Sequence, residues 1–229
     1  MLKGYGAVIL DGAWLTLQLA LSSMALAIVL GLIGVALRLS PVRWLAWLGD
    51  MYSTVIRGIP DLVLILLIFY GGQDLINRIA PLVGYDDYID LNPFVAGVGT
   101  LGFIFGAYLS ETFRGAFLGI PKGQAEAGMA YGMSGVQVFF RIMVPQMIRL
   151  AIPGFTNNWL VLTKATALIS VVGLQDMMFK AKQAADATRE PFTFFLAVAA
   201  LYLVLTSISL LALKYLERRY SVGVKVAEL

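Results

Sequence analysis

Five long apolar stretches dominate this 229-residue chain and restrict what it can fold into. They lie near residues 13–37, 54–73, 94–113, 150–173 and 192–213. Each is long enough for a helix to cross a hydrocarbon core about 30 Å thick, which takes roughly 20 residues. Because 59% of the residues are hydrophobic and only 14% charged, a soluble globule would leave much apolar surface in water. The sequence therefore predicts an all-α, polytopic membrane protein with about five transmembrane helices.

The first stretch is expected to remain in the mature protein as a span. Its apolar run exceeds the roughly 7 to 15 residues of a signal-peptide core, and no basic cluster directly precedes it. We find no low-complexity linker and no sign of a second domain. Residues 1–229 are therefore expected to form a single transmembrane domain.

Several kinds of chemistry are excluded by missing residue types. The chain has no Cys and no His, which removes thiol nucleophiles, imidazole bases and the usual zinc ligands. It has no G-x-x-x-x-G-K-[ST] phosphate loop, so it is not expected to bind ATP in that manner. The net charge is +3, but the basic residues stand at the ends of apolar stretches instead of alternating with aromatic residues. We therefore expect no catalytic residues, no metal, no bound cofactor and no nucleic-acid partner.

The basic residues are distributed unequally between the two sides of the predicted bundle. One side receives Arg38, Arg43, Arg57, Arg114, Lys122, Arg141, Arg149, Lys214, Arg218, Arg219 and Lys225. The other receives Lys3, Arg78, Lys180, Lys182 and Arg189. Because cytoplasmic loops carry the excess of Lys and Arg, the richer side is predicted to be cytoplasmic. The N-terminus is then outside and the C-terminus inside.

A more polar segment, residues 121–145, separates the third and fourth stretches on the predicted cytoplasmic side. Gln124 to Met133 are predicted to form nearly three turns of helix, with Glu126 in the first turn, where the helix dipole favours a carboxylate. Gly132 and Gly135 are expected to end or bend this helix.

The spacing within this segment resembles the coupling loop, or EAA loop, of permease subunits in binding-protein-dependent ABC importers. The residues that carry the resemblance are Glu126, Ala127, Gly132, Ile142, Val144 and Pro145. The resemblance implies a short helix that docks into a groove on a separate ATPase subunit. It assigns Glu126, Ala127 and Gly132 to that contact, and Pro145 to the turn back toward the fourth span. Gly128 departs from the pattern, since a second alanine is usual there.

Further blocks of the chain resemble the polar amino acid subfamily of these permeases, and most closely its Q-type membrane subunits of histidine/lysine/arginine/ornithine importers. The blocks are Arg57–Pro60, Glu111–Gly115, Pro121–Gln124, Lys164–Leu168 and the tail Leu216–Lys225. Ala165 and Ala167 stand where the wider family often has acidic or small polar residues.

The resemblance implies a subunit of an amino acid importer in the bacterial inner membrane. Its partners would be a second, similar permease chain, two copies of an ATPase that uses ATP, and a periplasmic binding protein. The alternative function is an amino acid transporter driven by an ion gradient, in which Asp61 and Lys164 serve a proton or ion relay. That alternative does not explain the spacing of the coupling loop.

Two polar residues share one face of the fourth predicted span. Asn157 precedes Lys164 by seven residues, which is about two helical turns. An ionisable group at membrane depth needs a partner or a water-lined cavity. Either this face lines the translocation path, with Lys164 meeting the carboxylate of an amino acid, or Lys164 pairs with a carboxylate on a neighbouring helix.

Two acidic residues are further candidates for the path. Asp61 follows Pro60, which removes a helical hydrogen bond, and its carboxylate is suited to a cationic substrate. Its alternative is a local pair with Arg57, four residues earlier. Glu111 either touches substrate or pairs with Arg114, three residues later on the same helix.

Overall fold

The computed structural model describes residues 2–220, and all regular structure in that range is helical. The α-helices are α1 (Gly6–Arg38), α2 (Arg43–Gly58), α3 (Asp61–Ile79), α4 (Pro93–Leu118), α5 (Lys122–Ala130), α6 (Gly135–Val138), α7 (Val144–Ile169), α8 (Met177–Thr188) and α9 (Pro191–Tyr220). Short 3₁₀ turns cover Ala80–Val83 and Ser170–Val172, and a π-helical turn covers Phe139–Met143. Lys225 and the end of the tail block lie outside the described residues.

Five helical segments of the described chain are long and apolar enough to cross a membrane. They are Gly6–Arg38, Asp61–Val83, Pro93–Leu118, Gly135–Val172 and Pro191–Tyr215. The five predicted spans are therefore confirmed. We call the side where α1 and α4 end, and where α5 lies, the arginine-rich face, and the other side the opposite face.

The start of the second span was predicted wrongly. The helix does not continue from residue 54 to residue 73, because α2 ends at Gly58 and α3 begins at Asp61. Ile59 is extended, with φ −109° and ψ 138°, as expected for a residue that precedes proline. Pro60 cannot donate a backbone hydrogen bond, and its carbonyl instead accepts from the first turn of α3. Residues 54–58 therefore belong to a separate helix.

The centre of the bundle is a close parallel contact between α1 and α4. A Cβ on Gly102 would lie 2.6 Å from Cδ2 of Leu26, and one on Gly106 would lie 2.8 Å from Cβ of Leu30. Only glycine lets the two helices approach this closely, which is the usual way that membrane helices gain packing contacts. The pair of glycines therefore fixes α1 against α4.

Helix α7 packs antiparallel on α4. Near the arginine-rich face, a Cβ on Gly154 would lie 2.6 Å from Cγ2 of Thr112. Toward the opposite face, a Cβ on Gly97 would lie 2.9 Å from Cγ2 of Ile169. Positions on α7 therefore map onto α4 in reverse order.

Helix α8 is built into the opposite face. Its N-cap, Asp176, is completely buried and accepts a hydrogen bond of 2.9 Å from the Phe179 N–H. The Met177 N–H donates to the Thr16 hydroxyl of α1, and a Cβ on Gly12 would lie 2.8 Å from the Met177 Cα. Three further small residues of α8 are buried, Ala181, Ala184 and Ala185, in a cluster that includes Ile9 of α1 and Phe194 of α9. Helix α8 is thus held against α1 by its backbone.

Candidate functional site

The predicted coupling helix is present as α5, but it begins earlier than expected. It covers Lys122–Ala130, with Pro121 as its N-cap. Glu126 therefore lies in the second turn, and the expected placement in the first turn is wrong. The reason is that Pro121 ends the preceding segment and its carbonyl already accepts from the Gln124 N–H at 3.0 Å.

Gly132 ends α5, as the sequence predicts. Its φ of +81° lies in the left-handed region that glycine reaches at low cost. The Gly132 N–H donates to the Met129 carbonyl at 2.9 Å, and the Met133 N–H donates to the Gly128 carbonyl at 3.1 Å. These two bonds form a Schellman motif, which satisfies carbonyls at the helix end. Gly135 does not end this helix, since it begins α6 after the Ser134 cap.

Gly128 is the point at which α5 touches the rest of the chain. It is the buried residue of α5, and a Cβ there would lie 2.6 Å from Cδ1 of Ile142 and 3.0 Å from Cγ2 of Val138. The departure from alanine therefore permits close contact with the π-helical turn. Gly128 and Ile142 are well separated in the sequence, and this contact brings the two residues of the segment together.

The expected turn at Pro145 is wrong, because the chain is helical there. Pro145 occupies the first turn of α7, directly after the π-helical turn. The Val144 N–H donates to the Phe139 carbonyl, five residues back, so the helix widens before the residue that cannot donate. The helical segment Gly135–Val172 consequently passes through Pro145 without a reversal.

Most of α5 is open to solvent. Glu126, Ala127, Gly132 and Pro145 are all exposed, and among the described residues Glu126 forms no ion pair. Beside Glu126 lies a groove of about 310 Å³ between α5 and the end of α4. Phe117, Pro121, Ala125, Met129 and Met143 belong to its walls. The surface is mostly apolar and carries two charged residues, Lys122 and Glu126, which suits protein docking.

Asp61 does not pair with Arg57. Those residues lie on different helices, since the break at Pro60 removes the single helix face that the local pair requires. Asp61 is instead close enough to Tyr108 to interact with it electrostatically, and the Arg57 guanidinium carbon lies 5.8 Å from the centre of the Tyr108 ring. Within the described residues, the Asp61 carboxylate has no hydrogen-bond or ion-pair partner. It is therefore available to an incoming group.

Glu111 holds three helices together. Its Oε2 lies 2.5 Å from Nη1 of Arg38 and 3.3 Å from Nη1 of Arg57. These ion pairs replace the expected local pair with Arg114. The Arg38 side chain is only 7% exposed and also binds Asp50 at 2.7 Å. Glu111 thus acts in a structural cluster that joins α1, α2 and α4.

Lys164 and Asn157 are both exposed, and no described carboxylate pairs with Lys164. The proposed ion pair with a neighbouring helix is therefore not formed within the described chain. The lysine lines a cavity of about 330 Å³ together with Met178, Phe195 and Tyr202. A cation in a cavity of this kind is suited to a carboxylate from outside the chain.

Asn158 is a buried polar residue that sequence reasoning missed. Its Nδ2 donates to the Thr112 hydroxyl at 3.0 Å and to the Gly154 carbonyl at 2.9 Å. The sequence pattern favoured the neighbouring Asn157 instead, because Asn157 shares a helix face with Lys164. Asn158 instead fixes the contact between α4 and α7.

Asp61 and Lys164 lie at different depths, and α4 supplies the scale. Gly154 is level with Thr112 and Ile169 is level with Gly97, so each step forward along α7 corresponds to one step back along α4. Lys164 is therefore level with position 102, whereas Asp61 lies near Tyr108. Six residues of helix correspond to roughly 9 Å. Lys164 is thus closer to the opposite face, and Asp61 is closer to the arginine-rich face.

No three His, Cys, Asp or Glu side chains of the described residues come together as metal ligands would.

The chain is similar to known transport proteins over nearly its whole length. The family described as binding-protein-dependent transport system inner membrane component matches residues 16–222. The histidine/lysine/arginine/ornithine transport system permease protein HisQ of Escherichia coli is 52% identical over 229 residues, covering 100% of both chains. The octopine transport system permease protein OccQ of Rhizobium radiobacter is 38% identical, covering 97% of this chain and 94% of that protein.

A solved structure has the same fold. It is a crystal structure of an amino acid ABC transporter with histidines, and it superposes with a TM-score of 0.81 at 28% identity. The superposition covers 94% of this chain and 95% of the other. The helical arrangement described above is therefore that of an ABC transporter permease.

Proposed function

The chain belongs to the family of binding-protein-dependent transport system inner membrane components, and on this premise we propose that it serves an importer of basic amino acids. As a multi-pass permease of the inner membrane it carries amino acids and is not itself an enzyme. The observation that carries the substrate class is its 52% identity, over the whole length, to a histidine/lysine/arginine/ornithine permease. ATP would be hydrolysed on a separate chain.

The proposed assembly contains this chain, a second similar permease, two ATPase subunits and a periplasmic binding protein. The exposed surface of α5 supports docking of an ATPase, since Gly128 is its buried residue. Helix α3 supports a second permease, because a span with only Leu64 and Ile65 buried leaves most of its surface for another chain. One permease domain, residues 1–229, with a coupling segment at residues 121–145, would then form half of the path.

The proposed orientation places the arginine-rich face in the cytoplasm, with the N-terminus in the periplasm and the C-terminus in the cytoplasm. The excess of arginine and lysine supports it. Closure of the ATPase pair on ATP would draw the coupling helices of the two permeases together, with Glu126, Ala127 and Gly132 at the contact. The contact between Gly128 and Ile142 would pass this movement to α7, with Pro145 in the segment between them. The path would then open outward.

The first experiment is affinity purification of the chain from its native membrane in mild detergent, with the stoichiometry of all associated chains. We expect one ATPase copy per permease chain together with a second permease. A chain that purifies alone, or as a homo-oligomer without ATPase, would overturn the proposal and favour the gradient-driven transporter.

The proposed path residues are Asp61, Asn157 and Lys164, whereas Glu111 is engaged in the ion-pair cluster. A basic amino acid carries an α-carboxylate at one end and a cationic side chain at the other. Lys164 would attract the carboxylate, and Asp61, roughly 9 Å nearer the cytoplasm, would attract the cation. Asn157 would offer a neutral hydrogen-bonding group on the same helix as Lys164.

Replacement of Asp61 tests the selection of basic substrates. Asp61→Asn keeps the shape and removes the charge, so we expect arginine uptake in reconstituted vesicles to fall about tenfold while the assembled complex is recovered in normal amount. Asp87→Asn, in the exposed loop before α4, is the matched control and is expected to have no effect. Unchanged arginine uptake, or an equal loss of assembly, would remove Asp61 from the path.

A further inference from the structure

Helix α2 presents an apolar stripe that no other part of the described chain covers. Trp44, Trp47, Met51 and Val55 are 63%, 62%, 43% and 49% exposed. They are separated by three, four and four residues, so they lie on one side of the helix. We call these four residues the apolar stripe. Two of the four residues are tryptophans, whose large apolar rings each carry a polar N–H.

The other side of α2 is fixed to the bundle. A Cβ on Gly49 would lie 2.6 Å from Cγ of Arg38, and Ser53 and Ile56 are buried. The Tyr52 hydroxyl donates to the Phe103 carbonyl at 2.6 Å, and burial raises its pKa to about 12, so it remains a donor. The helix therefore cannot rotate to bury the apolar stripe.

The ion-pair cluster sets the depth of α2. Both Arg38, at the end of α1, and Arg57, at the end of α2, bind Glu111. Glu111 lies seven residues, or about two turns, before the end of α4. Charged side chains of membrane helices concentrate near the membrane surface, where water and headgroups solvate them. The cluster therefore places α2 beside the last turns of α4, toward the arginine-rich face.

The surroundings of the apolar stripe indicate lipid as its occupant. The neighbouring span α1 also exposes apolar residues, Leu32 and Ile33, toward its arginine-rich end. Arg43 is exposed at the start of α2 and complements anionic headgroups, whereas Arg57 at its end pairs with Glu111. Tryptophan favours the boundary between membrane and water, because its ring is apolar and its N–H is polar.

We propose that α2 lies in the plane of the membrane and that the apolar stripe contacts phospholipid at the boundary between headgroups and acyl chains. An interfacial helix of this kind buries its apolar face by roughly 5 to 10 Å. It would anchor the start of α3, and thus Asp61, at a constant depth, because only Ile59 and Pro60 separate the two helices.

The absence of cysteine from the chain permits a direct test. Met51→Cys and, separately, Val55→Cys are labelled with a nitroxide in the full chain, purified with its associated subunits in nanodiscs of phosphatidylethanolamine and phosphatidylglycerol. Electron paramagnetic resonance then compares access to oxygen, which partitions into lipid, with access to a water-soluble nickel chelate. Leu21→Cys, within α1, marks the hydrocarbon core, and Asp87→Cys marks water. The unsubstituted chain gives the background from thiols of other subunits.

The proposal expects both labels on the apolar stripe to be oxygen-accessible and shallower than the label at position 21. Access to the nickel chelate equal to that at position 87 would mean that the stripe faces water, which overturns the proposal. Protection from both reagents would mean that protein covers it, and a depth equal to that of position 21 would place α2 within the hydrocarbon core. Either of these results would also overturn it.

Discussion

The two short helices at opposite faces of the bundle, α5 and α8, differ in how much of their surface packs against the rest of the chain. Helix α8 buries its N-cap and Met177, Ala181, Ala184 and Ala185, whereas α5 buries Gly128. Both have small residues at their contact points, so composition does not explain the difference. What differs is the number of turns that face the chain itself. Helix α5, exposed on nearly every side, is available to another molecule, whereas α8 gains its packing energy from its own chain.

The ends of the two helices differ as well. Helix α8 is fixed at its start, where the Asp176 carboxylate accepts from the Phe179 N–H and Thr16 accepts from Met177. Helix α5 has no side-chain cap at its start and is fixed at its end by Gly132. The attachment of α8 depends on burial of its first residues, and the end of α5 depends on backbone conformation. Each can be altered separately.

The largest expected effect follows from forcing α8 away from α1. Gly12→Ala would place a Cβ 2.8 Å from both the Cα and the N of Met177, and the backbone cannot yield as a flexible side chain can. We expect about 3 kcal/mol of destabilisation, measured by thermal unfolding in detergent. Gly99→Ala, where a Cβ would meet nothing within 4 Å, is the matched control and should be neutral or slightly stabilising. Equal stability of the two variants would show that α8 is not packed as described.

A charge reversal on α5 is expected to leave the fold intact and abolish the function. Glu126 is exposed and has no ion-pair partner among the described residues, so Glu126→Lys should not change the melting temperature. ATP-driven uptake should fall at least tenfold, because a docking surface that accepts a carboxylate repels an ammonium. Asp87→Lys, the same change in an exposed loop, should leave uptake unchanged. Normal uptake by the Glu126→Lys transporter would refute a coupling role.

The burial of Asp176 makes the attachment of α8 dependent on pH. Burial raises the pKa of this carboxyl from 3.8 to about 6. Well below its ordinary pKa of 3.8, the carboxyl is protonated in both the folded and the unfolded chain. Between pH 4 and 6 the folded chain retains a proton that the unfolded chain loses, so stability decreases as the pH rises through this interval and is lowest above 6.

Asp176→Asn should remove this dependence. Asparagine keeps an oxygen that can accept from the Phe179 N–H, and it carries no charge. We expect a gain of roughly 1 to 2 kcal/mol at pH 7.5 and no gain near pH 4, because the added amide N–H offsets part of the benefit. Thermal unfolding across this pH range measures it. A loss of stability at both pH values would mean that the charged carboxylate has a partner.

The smallest expected effect is at the end of α5. Gly132→Ala places a side chain at φ +81°, at a cost of about 1 kcal/mol. Amide hydrogen exchange at Gly128 to Met133 should accelerate about fivefold if this turn opens locally. Gly135→Ala, in an ordinary helical conformation with nothing within 4 Å of its Cβ, should leave exchange unchanged. Slower exchange at Gly132→Ala would contradict the Schellman motif.

The sequence predicted the spans and α5 because apolar length and glycine spacing are local signals. The break between α2 and α3 was missed because hydrophobicity continues across Pro60, and hydrophobicity alone does not report a change in helix direction. Helix α8 was missed for the opposite reason. Its buried side is mainly alanine, so the segment Met177–Thr188 carries no strong apolar stripe.

The candidate site was predicted less completely, because its residues depend on contacts between distant parts of the chain. Glu111 has a nearby arginine in the sequence, yet it binds Arg38, 73 positions away. Asn158 and Thr112 are 46 positions apart. Predicting side-chain partners from their spacing in the sequence assumes an isolated helix. Such a prediction fails where another helix supplies a better partner.

The length of α1 has a mechanical consequence. At 33 residues it is about 50 Å long, well beyond a hydrocarbon core of about 30 Å, so its first turns project past the opposite face. Because α8 is attached at Gly12 and Thr16, it lies on the projecting arm. A tilt of about 10° around the midpoint of α1 would displace the far end of that arm by about 4 Å. In such a tilt, α8 would travel farther than any residue near the midpoint of α1.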